Sequence, residues 1–155
     1  MTSKGRKPTR RSERALAFQV LYGLTFSPAT SLGGLRDAYT ASPDVADKGE
    51  FEGVPAGFAW ELVEGVWKTA TTLDEIIGRY SQNWRLDRMG KIELTLLRIA
   101  IYEMVYRTDV PAKVAINEAL ELSKQFGDAN ARSFINGILD AAAKAQETGE
   151  LAPKV

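Results

Sequence analysis

Residues 91–107 read Lys91-Ile92-Glu93-Leu94-Thr95-Leu96-Leu97-Arg98-Ile99-Ala100-Ile101-Tyr102-Glu103-Met104-Val105-Tyr106-Arg107, and this stretch decides the fold. Ile92, Leu96, Leu97, Ile99, Ala100 and Met104 recur at helical spacing. They cover so much of the circumference that the helix must lie centrally, with other helices packed around it. Asp87, just upstream, is placed to cap it.

Working outward from this segment finds helices only. Downstream, Asp109-Val110-Pro111 opens a further helix, and Gly127 is a natural place for it to stop. Asp128 then caps a last helix that carries Phe134, Ile135, Ile138 and Leu139 and fades near Ala145. Asn136-Gly137 is a turn dipeptide inside that helical pattern. It is read as a point where two helices approach closely. Upstream, Pro55 opens a helix whose apolar face is Phe58, Leu62, Val63, Val66, Trp67 and Ala70. Thr72-x-x-Glu75 is a capping box for a separate short helix ending near Tyr80.

The N-terminal third is less regular. A first helix runs from about Arg10 to Thr25 and stops before Pro28. Residues 31–40 form a short helix weakened by Gly33-Gly34. Residues 41–54, with Pro43, Gly49 and Gly53, read as a long mobile loop. No stretch alternates with strand period and nothing repeats. The expectation is an all-α chain of about seven helices.

Composition excludes much chemistry. The 155 residues contain no Cys and no His. A disulfide, a thiol nucleophile, a Ser-His-Asp triad and the usual Cys or His zinc sites are therefore out of reach. The close acidic pairs, Glu61 and Glu64, Glu118 and Glu121, and Asp74-Glu75, fall on polar helix faces. Nothing argues that burial splits their pKa values, so they read as solvated surface. There is no phosphate-cradling glycine loop and no nucleophile elbow. No metal, cofactor or catalytic residue is expected.

The net charge of +0 conceals an asymmetry. Residues 1–14 hold six basic side chains, Lys4, Arg6, Lys7, Arg10, Arg11 and Arg14, against one acid, Glu13, for a net +5. The remaining 141 residues hold 14 basic and 19 acidic side chains, a net −5. A basic end on a mildly acidic body suits a polyanionic partner met through one end. Arg10, Arg11 and Arg14 share one side of the first helix's opening turns. Arginine matches phosphate oxygens with a fork of donors, and a helix N-terminus adds its own positive end. The basic start followed by Ala15-Leu16-Ala17-Phe18 also has the outline of a signal peptide. Glu13 among the cations, Gln19 in the apolar run and the lack of a small-x-small cleavage site argue against that. No segment reaches 18 uninterrupted apolar residues, so a cytoplasmic chain with no membrane partner is expected. Phe134, beside Asn130, Arg132 and Ser133, is a candidate to stack on an unpaired base, with core packing as the ordinary alternative.

Several motifs in order then resemble one family. Leu97-Arg98-Ile99-Ala100-Ile101-Tyr102-Glu103, Asp109-Val110-Pro111-Ala112-Lys113-Val114-Ala115-Ile116-Asn117-Glu118-Ala119, Phe126-Gly127 and Phe134-Ile135-Asn136-Gly137-Ile138-Leu139-Asp140 are similar to the NusB family of bacterial transcription antitermination factors. The opening Arg10-Arg11-x-x-Arg14-x-x-Ala17-x-Gln19-x-Leu21-Tyr22 looks like that family's arginine-rich start. The resemblance spans about residues 10–143, specific from 90 to 140 and weak from 27 to 70.

The resemblance implies two small packed helical subdomains within residues 10–146, divided near 80–86. A flexible basic arm, 1–9, and a flexible tail, 147–155, flank them. It implies a non-enzymatic factor that binds boxA of ribosomal RNA leader transcripts with NusE, a small-subunit ribosomal protein. That assembly joins RNA polymerase in an antitermination complex and lets it read through terminators. It implies RNA contacts for Arg10, Arg11 and Arg14, with Lys4, Arg6 and Lys7 as an upstream supplement, and for Phe134 and its neighbour Asn130. Asp87 and Glu93 match acidic positions on a separate protein-binding face. Ser12 and Glu13 interrupt the arginine run, and Glu13 repels phosphate unless it points away. Self-association as a homodimer is left open. Two alternatives stand beside this reading: a helical scaffold that binds only proteins, and the NusB-like module of a ribosomal RNA methyltransferase. A chain ending at Val155 without a nucleophilic Cys is not expected to be that enzyme.

Overall fold

In the computed structural model, residues 9–46, 55–82 and 86–151 are described. Among them are seven α-helices and no strand: α1 (Arg10–Leu24), α2 (Leu32–Ala41), α3 (Pro43–Ala46), α4 (Phe58–Tyr80), α5 (Lys91–Tyr106), α6 (Ala112–Phe126) and α7 (Ala129–Glu147). The count of seven agrees with expectation, but by a different route. The loop read over 41–54 contains α3, and the two helices expected on either side of Thr72 run on as α4 across a kink at Thr69. Residues 47–54 lie outside the described set, as do Lys4, Arg6 and Lys7.

The chain divides into two compact units, Met1–Val63 and Glu64–Val155. The boundary falls within α4. In the first unit, Leu16, Ala17, Phe18, Val20 and Leu21 of α1 are buried, as are Leu35, Tyr39, Val45, Ala59, Trp60, Leu62 and Val63. Tyr39 meets Trp60 edge to face, with centroids 5.3 Å apart. α2 forms despite its two glycines because Ser31 caps it, accepting from the Gly34 N–H at 3.0 Å.

The second unit is built around α5. Leu96, Leu97 and Ile101 are fully buried, and Ile99, Ala100, Met104 and Val105 nearly so. α6 contributes Ala115, Ile116, Ala119 and Leu122; α7 contributes Ile135, Ile138, Leu139 and Ala142. The expected central helix is therefore central to this unit. Its start differs from expectation. Asp87 lies in a single 3₁₀ turn, Leu86–Arg88, and α5 begins at Lys91 with Gly90 as its uncapped N-cap. Asp128 caps α7 as expected, accepting from the Ala131 N–H at 2.8 Å.

α4 bends where Thr69 leaves helical geometry, at φ −112° and ψ 16°. The Thr69 hydroxyl donates to the Gly65 carbonyl at 2.7 Å, the kind of back-bonding that bends helices. The expected separate short helix is thus the segment of α4 after the kink, which breaks from the first at Thr69 rather than at Thr72 and ends at Tyr80. Pro55 is buried three residues ahead of α4 and does not open it; Gly57, at φ +104°, makes that turn. The expected close approach at Gly137 is also corrected. Among the described residues, nothing lies within 4 Å of an added Cβ there. The tight crossing is at Gly65, where a Cβ would overlap the Tyr102 ring. The start of the tail is folded back as well. The Leu151 N–H donates to the Ala145 carbonyl at 3.0 Å, and the Leu151 side chain is buried.

Candidate nucleic-acid and partner interface

One candidate region, in the first unit, is the opening of α1. Thr9 and Ser12 form a reciprocal capping box: the Ser12 N–H donates to Thr9 Oγ1 at 3.0 Å, and the Thr9 N–H donates to Ser12 Oγ at 3.1 Å. Ser12, which interrupts the arginine run, is therefore the N3 partner of the Thr9 cap that starts the helix. Glu13 has an equally structural task. Its Oε1 accepts the Ala59 N–H at 3.0 Å, in the first turn of α4. A carboxylate at a helix N-terminus satisfies an orphan donor and faces the positive end of the helix dipole. Glu13 is thus directed at a helix end.

The three arginines separate. Arg10 and Arg11 are exposed, whereas Arg14 is only 4% exposed. The expectation that Arg14 offers its guanidinium to phosphate is corrected: its carbon Cζ sits over the Phe58 ring, 5.1 Å from the centroid. Arg10 shares that ring at 4.4 Å. Phe58 was legible in the sequence only as one more member of an apolar stripe. Its support for the arginines leaves no mark in spacing or composition. Tyr39, buried in the same unit, has its phenol pushed up to about 12, first by burial and then by the Glu13 charge.

A separate candidate region lies in the second unit, at the junction of the 3₁₀ turn, the start of α5 and the start of α7. Arg88, Met89, Gly90, Glu93, Asp128, Asn130, Ala131 and Phe134 line an open cavity of about 320 Å³. Phe134 is half-buried and Asn130 is exposed. Glu93 lines the same cavity, which brings an expected protein contact beside the expected RNA contacts. The carboxylate of Glu93 occupies the space a Cβ on Gly90 would fill. Asp87 is exposed on the adjoining turn and is not among the cavity's lining residues. Arg88 lines it and was missed. Of the acidic pairs, Asp74 is taken up structurally, accepting two 2.7 Å hydrogen bonds from Arg98.

Among the described residues, no three potential ligands gather as a metal would need. None of the described helices is long and apolar enough to cross a membrane. What the fold presents is a helical binding module: an arginine-bearing helix start in one unit, and an aromatic, amide and carboxylate cleft in the other. The chain belongs to the NusB family, whose model matches residues 11–144. A transcription antitermination protein NusB from Nitratidesulfovibrio vulgaris is 70% identical over 155 residues, 100% of both chains. The one from Myxococcus xanthus is 45% identical over 136 residues, 88% of this chain and 95% of that one. Among solved structures, T. maritima NusB superposes with a TM-score of 0.71 at 30% identity, covering 94% of this chain and 100% of the other. A crystal structure of antitermination factors NusB and NusE in complex with dsRNA has the same fold. It gives a TM-score of 0.67 at 23% identity, covering 88% of this chain and 96% of that one.

Proposed function

We propose that this chain is an RNA-binding transcription antitermination factor. It binds boxA of ribosomal RNA leader transcripts together with NusE and carries RNA polymerase through terminators. The observation that carries this is the exposure of Arg10 and Arg11 on the first turn of α1 in a member of the NusB family. Arg10 and Arg11, with Lys4, Arg6 and Lys7 upstream, meet phosphate; Phe134 stacks on a base beside Asn130. Asp87 and Glu93 face basic groups of NusE. The factor acts in the cytoplasm, without catalysis or cofactor, by joining partners.

The test is a titration of the chain, alone and with NusE, against boxA and scrambled RNA at two salt concentrations. Affinity for boxA should fall with salt at a log–log slope of roughly −0.7 per neutralised phosphate. Replacing both Arg10 and Arg11 by Ala should weaken binding and flatten that slope while leaving the thermal transition in place. A double variant that binds with unchanged affinity and slope rejects the arm. A wild-type chain that binds NusE but no RNA would instead be a protein-only scaffold.

A further inference from the structure

We infer that Phe58 is the positioning residue for the arginine arm: its ring orders the Arg10 guanidinium so that the donor edge faces outward to phosphate. This rests on the reading of the arm as the RNA contact. Three observations in the first unit converge on it. Arg10 and Arg14, one helical turn apart, both place Cζ over the Phe58 ring, at 4.4 and 5.1 Å. Arg14 is buried, so one of the two arginines on the ring is held in the core, while Arg10 is exposed. Glu13, between them in sequence, holds the Ala59 N–H, the residue after Phe58, at 3.0 Å. The start of α1 is therefore tied to the start of α4 by a hydrogen bond next in sequence to the ring contact.

The chemistry follows from guanidinium geometry. Its flat face is attracted to an aromatic ring, while its N–H donors lie in the plane and point outward from the edge. Stacking and bidentate phosphate binding use different parts of one group, so Arg10 can do both at once. A guanidinium already held in one orientation loses less conformational freedom when phosphate arrives. Phe58 contributes no charge, so its effect is to raise affinity without altering the number of phosphates neutralised.

The experiment compares wild type, Phe58→Leu, Phe58→Tyr and Arg10→Lys, with NusE present, against boxA RNA at two salt concentrations. Phe58→Leu is expected to weaken binding on the order of three- to tenfold at both concentrations with the salt slope unchanged. Phe58→Tyr, which keeps the ring face, should bind within about twofold of wild type. The Arg10 side-chain resonances of the free protein should carry an upfield ring-current shift that Phe58→Leu removes and Phe58→Tyr preserves. If Phe58→Leu loses its thermal transition, Arg10→Lys carries the test. It keeps the charge but loses the flat stacked fork, and should weaken binding without changing the slope. Wild-type affinity in Phe58→Leu or in Arg10→Lys overturns the inference, as does a Phe58→Tyr chain as weak as Phe58→Leu. A wild-type chain that binds no RNA overturns the functional reading itself; an unaffected Phe58→Leu overturns the positioning role alone.

Discussion

The two units are held together by different means. The second is closed by apolar periodicity: Leu96, Leu97 and Ile101 on α5 are sealed by α6 and α7 side chains repeating at helical spacing. In the first, the start of α1 is fixed by individual polar and aromatic contacts. Thr9 and Ser12 cap α1 reciprocally, Glu13 caps α4, and Arg14 lies over Phe58. Burial by pattern tolerates many substitutions of similar volume, whereas burial by specific partners does not. In the first unit a residue's charge therefore says little about its task. The acid among the cations organises the site, and one of the cations is part of the core.

If packing governs the second unit, its sharpest point is the Gly65 and Tyr102 crossing. Gly65→Ala should destabilise the protein by about 1–3 kcal/mol in chemical denaturation, because the methyl overlaps the Tyr102 ring and the ring must move. Gly137→Ala is the control. It also lies inside a helix, but nothing described is within 4 Å of its added Cβ. It should be neutral or stabilising by roughly 0.5–1 kcal/mol, the usual gain of alanine over glycine in a helix. A reversal of these two results would place the close approach at Gly137 and break the contrast.

If specific contacts govern the first unit, Glu13→Ala should cost about 1 kcal/mol by leaving the Ala59 N–H without its cap. It should not produce the large gain in RNA affinity expected of a carboxylate facing phosphate; such a gain with unchanged stability would return Glu13 to the role of a repulsive charge. The same region has an alkaline signature. Tyr39 is pushed from 10.0 to about 12 in the folded chain, by burial first and Glu13 second. Below pH 10 both folded and unfolded phenols are neutral and the contribution to stability is complete. Between pH 10 and 12 the unfolded phenol ionises first, so stability falls as pH rises. Tyr39→Phe should remove that part of the pH dependence in a melt series.

Legibility in the sequence follows the same division. The all-α class, the central α5, the Asp128 cap and the run of α6 into α7 were readable because hydrophobic period and capping chemistry act locally. What was missed depends on partners distant in sequence. Glu13 finds Ala59 46 residues away, and Phe58 finds two arginines more than 40 residues upstream. Thr72 matched a capping box, but the bend is made at Thr69 by a hydroxyl reaching back one turn. At the cleft, Asn130, Phe134 and Glu93 were each legible, yet that they line one cavity was not. Spacing along two helices does not say which turns face each other.

The cleft is also where the contrast is weakest, because it places a specific polar arrangement inside the pattern-built unit. Glu93 folds back over Gly90 at the α5 N-terminus, filling the position of the missing Cβ. Gly90 has ordinary extended geometry, φ −66° and ψ 152°, so alanine fits the backbone without strain. What alanine displaces is the far end of a flexible side chain. Gly90→Ala should therefore cost only about 0.5 kcal/mol, the difference between glycine and alanine at an N-cap. It should nonetheless move the Glu93 carboxylate out of its present place in the cavity. NusE binding should weaken in Gly90→Ala to about the level of Glu93→Gln, and the double variant should be no weaker than either. Full additivity would mean that the two residues act separately. A loss of stability above 2 kcal/mol would mean that Gly90 is a packing position like Gly65, and that the second unit has no polar exception.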